Sequence, residues 1–436
     1  MHYDFNVADR AEVGKFTSFI ENVEIQGLKI NSFGYANKFW RGISLNFCSN
    51  VRIVDAFLIG SRDVNGSDID GAGAISIRNA YDVIIDRARA NEIGWYGVSL
   101  SGASQRITIT NCIFEKCRHS TSLVWQSADF NYGEPHEILI SNSTSSNSTL
   151  SGFEAHDTGR DVTYINCQSF DSGDNGFQIR NDGVTKLIHC SALRSKYDGL
   201  KVVSGTSGKR IQSVYVHGGE FAHNKRYGIN SDAEMCLIDQ VDFHDNANSA
   251  ISAAGAVVTN SSFNRNGANN GAITYGLSTN VPVTDFTVSG NRFYYDPTRQ
   301  PYIAQAKGSY PEPDRFKNMQ LINNLFSGYA GVALVYALNT GLVPHPYMEN
   351  NHFDTNYASH RGLATLIAGT ATVNSSYVYV LDNGSYRATN PKIKLTVTNP
   401  KGTRGALYID KVAPGTFTIK STSFADISTV LWEITY

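Results

Sequence analysis

The sequence predicts an all-β chain: a parallel β-helix with three short strands per rung, followed by a small antiparallel β domain. Three observations carry this. First, a short strand opening with a small residue recurs as Gly97-Val98-Ser99-Leu100, Gly152-Phe153-Glu154-Ala155, Gly176-Phe177-Gln178-Ile179, Gly199-Leu200-Lys201-Val202 and Gly228-Ile229-Asn230-Ser231, at a spacing of roughly 21 to 30 residues that marks stacked supersecondary units. Second, short apolar strands end in asparagine, as in Ile107 to Asn111, Ile138 to Asn142, Val162 to Asn166 and Val257 to Asn260. A sharp bend between strands needs a residue that tolerates left-handed φ, and stacked amides can bond from rung to rung. Third, the composition holds 38 glycines and only 17 % charged residues, without a long helical period.

In chain order, Val23 to Ile25, Gly42 to Leu45, Val51 to Val54, Ala74 to Ile77 and Val83 to Ile85 read as the first strands. The acidic, Gly-rich stretch Ser61 to Gly71 reads as a solvated turn, since its spacing is not that of an EF-hand. From residue 83 the rhythm is clear. It weakens after 275, where Val281 to Asp296, Met319 to Tyr336 and Tyr347 to Asp354 still look like rungs around the Pro-rich stretch Tyr295 to Pro313. The coil is assigned to 1–361. Alternating strands with hairpin turns, among them Tyr377 to Leu381, Ile393 to Val397, Ala406 to Ile409, Thr416 to Ile419 and Thr429 to Trp432, assign 362–436 to the antiparallel domain. Cys112, Cys167 and Cys190 follow the corner residue and are read as thiols stacked inside the coil.

A net charge of −2 without a basic run argues against nucleic acid as a partner. No stretch approaches the ~20 apolar residues of a membrane span, and Met1 to Phe5 lacks the pattern of a signal peptide, so the chain is read as soluble and not exported by its own signal. The six cysteines show neither CxxC nor Cys/His metal spacing, so no metal and no cofactor are expected.

Alternation along strands sends Phe153, Ala155, Phe177, Ile179, Leu200 and Val202 inward and their neighbours outward. One outward column then reads Ser99, Val124, Glu154, Gln178, Lys201, Asn230, and the next Ser101, Gln126, His156, Arg180, Val203, Asp232. Rungs lie about 4.8 Å apart, so a carboxylate, imidazole, guanidinium, amide and ammonium share one face, as recognition of an acidic sugar polymer requires. The long turn Gln126 to His136 rises beside this face, adding Trp125 at its start, Asp129, Tyr132, Glu134 and His136. Asp171, Asp174, Lys196, Tyr197 and Asp198 are rim candidates. Two carboxylates flanking a glycosidic bond permit hydrolysis. Glu154 is the first, with Asp129 or Asp174 as partner, and this is the preferred reading. The alternative is β-elimination from a uronate, with Arg180 or Lys201 neutralising its carboxylate and His156 removing the adjacent proton. A third is a non-catalytic adhesin that only grips the glycan, and the substrate-binding candidates of the preferred reading are Gln126, Gln178, Arg180, Lys201, Tyr197 and Trp125.

With that architecture the chain resembles bacteriophage tailspike depolymerases of the pectate-lyase-like, right-handed β-helix class. The likeness is carried by Trp125 to His136, Gly152 to Asp161 and the ending Gly415 to Ile434. It implies a homotrimer that binds and cuts a bacterial capsule or O-antigen polysaccharide from the virion tail, with another phage tail protein as partner and the C-terminal domain as trimerisation unit or cap. Met1 enters the coil almost at once, so particle attachment is expected to lie outside this sequence. Gly152 to Asp157 is also similar to the Gly-Phe-Asp-Pro-His-Asp motif of alginate C5-epimerases. Glu154 stands at the acid and His156 at the His, while Thr149 occupies that family's catalytic Tyr position and Ala155 replaces Pro.

Overall fold

The computed structural model describes residues 20–31, 41–60, 73–123, 134–155, 159–181, 183–203, 211–267, 271–275, 286–300, 302–306, 319–328, 335–337, 347–349, 351–354, 361–374, 392–413 and 416–435. Among these there is no α-helix. Each rung contributes three strands, for example Arg160–Ile165, Gln168–Phe170 and Phe177–Ile179. Each pairs in parallel with its counterparts before and after. The parallel ladders run from Ile20 to Asp354, so the coil continues through the stretch where its sequence signal fades. Val184–Leu193 and Ser213–Ala222 each cross a corner as a single strand.

The corners follow backbone chemistry. Left-handed φ occurs at Asn111, Asn142, Asn166, Asn260 and Asn323, but also at Asp55, Arg87, His189 and Gln240. Asparagine is thus the favoured occupant rather than the required one. The residue after the corner points inward, and here the amides stack: Asn291 Nδ2 donates to Asn324 Oδ1 at 3.1 Å, and Asn324 Nδ2 to Asn351 Oδ1 at 3.0 Å. Cys112, Cys167 and Cys190 occupy the same column, buried and unpaired. Burial pushes the Cys112 thiol up to about 12, so it stays protonated. A second inner ladder joins Asn224, Asn246, Asn266 and Gln300.

The interior is filled by complementary volumes. Phe153 and Phe177 stack at 5.1 Å with Tyr164 edge-on to both, facing small residues at Ser145, Ser169 and Ala192. Farther along, the large side chains come from the other wall as the stack Phe221, Phe243, Phe263, Phe293. The glycines that open the third strand are required by close approach. A Cβ on Gly152 or Gly176 would lie 2.7 Å from the next rung's carbonyl oxygen, and one on Gly199 or Gly228 2.6 Å.

The last parallel strand ends at Asp354 and the first antiparallel one starts at Arg361. Among the described residues, two three-stranded antiparallel sheets follow, burying Leu366, Val373, Phe417, Ile419, Val430 and Trp432. The expected strand Tyr377 to Leu381 lies outside the described residues, as does the turn Ser61 to Gly71.

Candidate functional site

The third strands form a twelve-stranded parallel sheet, and its register sets the outward column. Ser76 pairs with Ser99, Ser99 with Ser122, Ser122 with Glu154, Glu154 with Gln178, Gln178 with Lys201, Lys201 with Asn230 and Asn230 with Ser252. The expected order of Glu154, Gln178, Lys201 and Asn230 is therefore present. The rung before Glu154 is not as expected: Ser122, not Val124, stands in the column, a slip of two residues. Its cause is Ser120, which occupies the position that glycine takes on most neighbouring rungs, so the Gly signal used for alignment is missing there.

Correct alignment exposes a second column, three residues before the first: Tyr96, His119, Ser151, Asn175, Asp198, Tyr227 and Ser249. Its members reach across to the outward residue one rung on. Ser151 Oγ donates to Gln178 Oε1 at 2.9 Å, Asn230 Nδ2 donates to Asp198 Oδ2 at 3.0 Å, and Ser249 Oγ meets Thr274 Oγ1 at 2.6 Å. His119 Nδ1 lies 2.8 Å from Glu154 Oε2 in the same relation. That contact is short but is not aligned as a linear hydrogen bond. The His119 ring is held by Tyr96, 5.5 Å away between centroids. Of this column only Asp198 was expected, as a rim residue; the other members precede a strand-opening glycine, except His119, which precedes Ser120, and Ser249, which precedes Ala250.

The column faces outward from the coil but is not solvated. Glu154 is 1 % exposed, and Gln178 and Asn230 are buried with it; His119 keeps 8 %. The outward face is thus a sheltered groove, in which each polar side chain needs a partner. Gln178 Oε1 accepts from Ser151 and from Asn175 Nδ2, the latter at 2.8 Å, and Asn175 Nδ2 also reaches Asp174 Oδ1 at 3.1 Å. Asp174 is half-buried. Burial raises its carboxyl above the usual range, Glu154 raises it further, and Arg180 and His119 oppose the shift. Burial also lowers the Lys201 ammonium, against the pull of Asp198 and Asp232. Arg180 sits beside the end of the Glu154 strand, its backbone N–H donating to Ala155 O at 2.7 Å. Its Nε is buried with no hydrogen-bond partner among the described residues.

The remaining expectations divide. Tyr197 is 40 % exposed on the rim, between Lys196 and Arg226. Asp171 is a corner former: it adopts left-handed φ and pairs with Arg194 at 2.8 Å. Glu134 and His136 do not wall the groove, because His136 starts a strand of the larger sheet and Glu134 pairs with Arg160 at 3.3 Å. Trp125, Gln126, Asp129 and His156 lie outside the described residues. Tyr164 lies inside the coil behind Glu154, its phenol pushed well up by burial, and so serves the core. Among the described residues, His223, His244 and Asp245 bring possible metal-ligand atoms within 4.8 Å of one another. Asp245 already engages Arg265 at 2.6 Å and Arg299 at 3.1 Å, a cationic setting that does not fit a metal ion.

Comparison with known proteins agrees with this picture. Residues 41–214 match the family model "Right handed beta helix region", and residues 358–435 match "K1 capsule-specific polysaccharide lyase, C-terminal domain". A depolymerase of Klebsiella phage K64-1, specific for capsule K1, is 32 % identical over 439 residues, covering 99 % of this chain and 48 % of its own length. The tailspike of Pseudomonas phage phi297 is 14 % identical with a TM-score of 0.44, covering 89 % of this chain and 62 % of that one. The A-module of a mannuronan C-5 epimerase from Azotobacter vinelandii is 14 % identical with a TM-score of 0.43, covering 77 % and 90 %. These last two are too distant to inform the chemistry. Fold and sequence define the class first: a right-handed parallel β-helix with a small antiparallel C-terminal unit. Within that class the chain is similar to a capsule-specific phage depolymerase, and it spans about half the length, 48 %, of that curated relative.

Proposed function

We propose that the groove around His119, Glu154, Asp174 and Arg180 binds and depolymerises a capsular polysaccharide by β-elimination at a uronate. The observation that carries this is the burial of Glu154 against His119: a carboxylate 1 % exposed, 2.8 Å from the imidazole, is placed to orient a base rather than to attack a sugar. With Nδ1 turned to Glu154, Nε2 is the nitrogen for taking the proton beside the uronate carboxylate. Arg180, with an unused buried Nε, neutralises that carboxylate and so acidifies the proton. Asp174, whose raised carboxyl keeps its proton to higher pH, donates to the leaving glycosidic oxygen. As His119 Nε2 takes the proton, its C–H electron pair forms a carbon–carbon double bond, the neighbouring C–O bond breaks and the departing oxygen takes the Asp174 proton, leaving an unsaturated uronate and a new hydroxyl end.

The C-terminal match to a lyase-family domain supports the same reading. Hydrolysis, preferred from sequence alone, draws on the two carboxylates Glu154 and Asp174 lying in one groove, but it requires Glu154 to reach either the anomeric carbon or the water that attacks it. As the sequence resemblance implies, the proposal includes a trimer on the virion tail, with 362–436 as cap or trimerisation unit. Incubation with purified Klebsiella capsular polysaccharides separates the readings. Shortened chains carrying the ultraviolet absorbance of an unsaturated uronate are expected. New reducing ends without that absorbance would establish hydrolysis instead, and a polymer bound at unchanged length would leave only an adhesin.

A further inference from the structure

Two rungs beyond Glu154 the groove changes character. Asp198 is completely buried and rigidly held: its Oδ1 accepts from Tyr227 N–H at 3.2 Å, its Oδ2 from Asn230 Nδ2 at 3.0 Å, and its own N–H donates to Asn175 Oδ1 at 3.1 Å. Two cations converge on this carboxylate without closing on it. Arg226 Nε stands 3.7 Å from Oδ1 and Lys201 Nζ 4.0 Å from Oδ2, both beyond hydrogen-bond distance. Asp198 therefore fixes where the two cations stand while leaving their donors unspent on it.

Three further observations point to a ligand at that place. Arg226 and Lys196 each lie 5.8 Å from the ring of Tyr197, whose exposed face forms a platform beside the cations. Asn230, 3 % exposed, commits its Nδ2 to Asp198, and its Oδ1 has no hydrogen-bond partner among the described residues. The Lys201 side chain is 24 % exposed, so an ammonium that has lost much of its water still opens onto the groove. A partly desolvated cation pair, an orphaned acceptor and an aromatic face match the parts of an acidic sugar: carboxylate, hydroxyl and C–H face.

We infer that Tyr197, Lys201, Arg226 and Asn230 form a specificity subsite for a second carboxyl-bearing sugar of the polymer, with Asp198 as its positioning residue. The subsite lies two register steps, Glu154 to Gln178 to Lys201, from the reacting bond. It rests on the reading of the groove as a polysaccharide site. Its energetic task is discrimination: a neutral polymer would leave the partly desolvated cations without the anion they face, a larger loss than that of an ordinary contact.

The test uses the full chain and a panel of purified Klebsiella capsular polysaccharides, some carboxyl-bearing and some neutral, with Kd from calorimetry and kcat and KM from cleavage. The wild type is expected to bind carboxyl-bearing polymers alone, with affinity falling as salt rises. Arg226→Gln and Tyr197→Ala, both at exposed side chains, are expected to raise Kd and KM about tenfold with kcat within about twofold. Equal handling of neutral polymers, or unchanged Kd in both subsite variants, overturns the subsite even if cleavage proceeds. Binding that depends on Arg226 without any cleavage upholds the subsite and removes the elimination chemistry. Failure to bind any member of the panel overturns both.

Discussion

Two stacks of polar side chains run along this coil, one inside it and one outside, and they differ in how completely they are used. In the inner ladder Asn246 is saturated. Its N–H and Nδ2 donate to Asn266 Oδ1, Nδ2 also donates to Phe221 O at 2.8 Å, and its Oδ1 accepts from Asn224 N–H and Nδ2. In the outer column, equally hidden from water, the His119 to Glu154 contact is misaligned, and Arg180 Nε and Asn230 Oδ1 lack hydrogen-bond partners among the described residues. Burial is common to both, so burial does not mark function here. Incomplete satisfaction separates these two stacks, and a folded chain tolerates an orphaned polar atom at a cost that a ligand can offset, although Tyr164 Oη in the core is orphaned among the described residues as well.

The sharpest way to break this comparison is to remove one member from each stack. His119→Ala is expected to lower kcat about a thousandfold with the thermal unfolding midpoint little changed; an active variant would remove His119 from the chemistry. Asn246→Ala should do the reverse. Orphaning Asn224 N–H and Phe221 O inside the coil costs about 3 kcal/mol, read as a lowered unfolding midpoint with activity per folded molecule retained.

Asp174→Asn is expected to cost about a hundredfold in kcat/KM, and the pH profile carries the diagnosis. A donor must be protonated, so the wild-type rate falls as pH rises through the raised Asp174 value, and the variant should lack that limb. If the limb persists in the variant, another group supplies the proton. The smallest effect belongs to the outer ion-pair steps such as Arg106 with Asp82. Both side chains are about half exposed, 48 % and 50 %, and Arg106→Ala should leave the midpoint and the kinetics within error.

The architecture was legible because it follows from local backbone needs repeated at a period. Glycine was demanded where adjacent rungs touch, as at Gly176 and Gly199, and asparagine was favoured where φ turns left-handed, as at Asn142 and Asn166. The site was legible only in part. Glu154, Gln178 and Lys201 could be aligned since each follows its glycine by two residues. His119 could not, because Ser120 supplies the strand opening there with a side chain that bonds inward to Ser145 at 2.6 Å, a substitution with no local signature. The burial of the outer column was also invisible: alternation reports which way a side chain points, not what shelters it.

The glycine contacts have a consequence for recognition. With successive turns held at backbone contact along the third strands, the distance between functional groups on neighbouring rungs cannot be adjusted by side-chain choice; it is a fixed pitch of about 4.8 Å. On the proposed reading the coil serves as a ruler laid along the polysaccharide. Which sugar is read at each graduation can be changed by replacing Gln178, Lys201 or Asn230, but the graduations themselves stay where they are, and only polymers whose repeating charges fall in step with them can engage several at once.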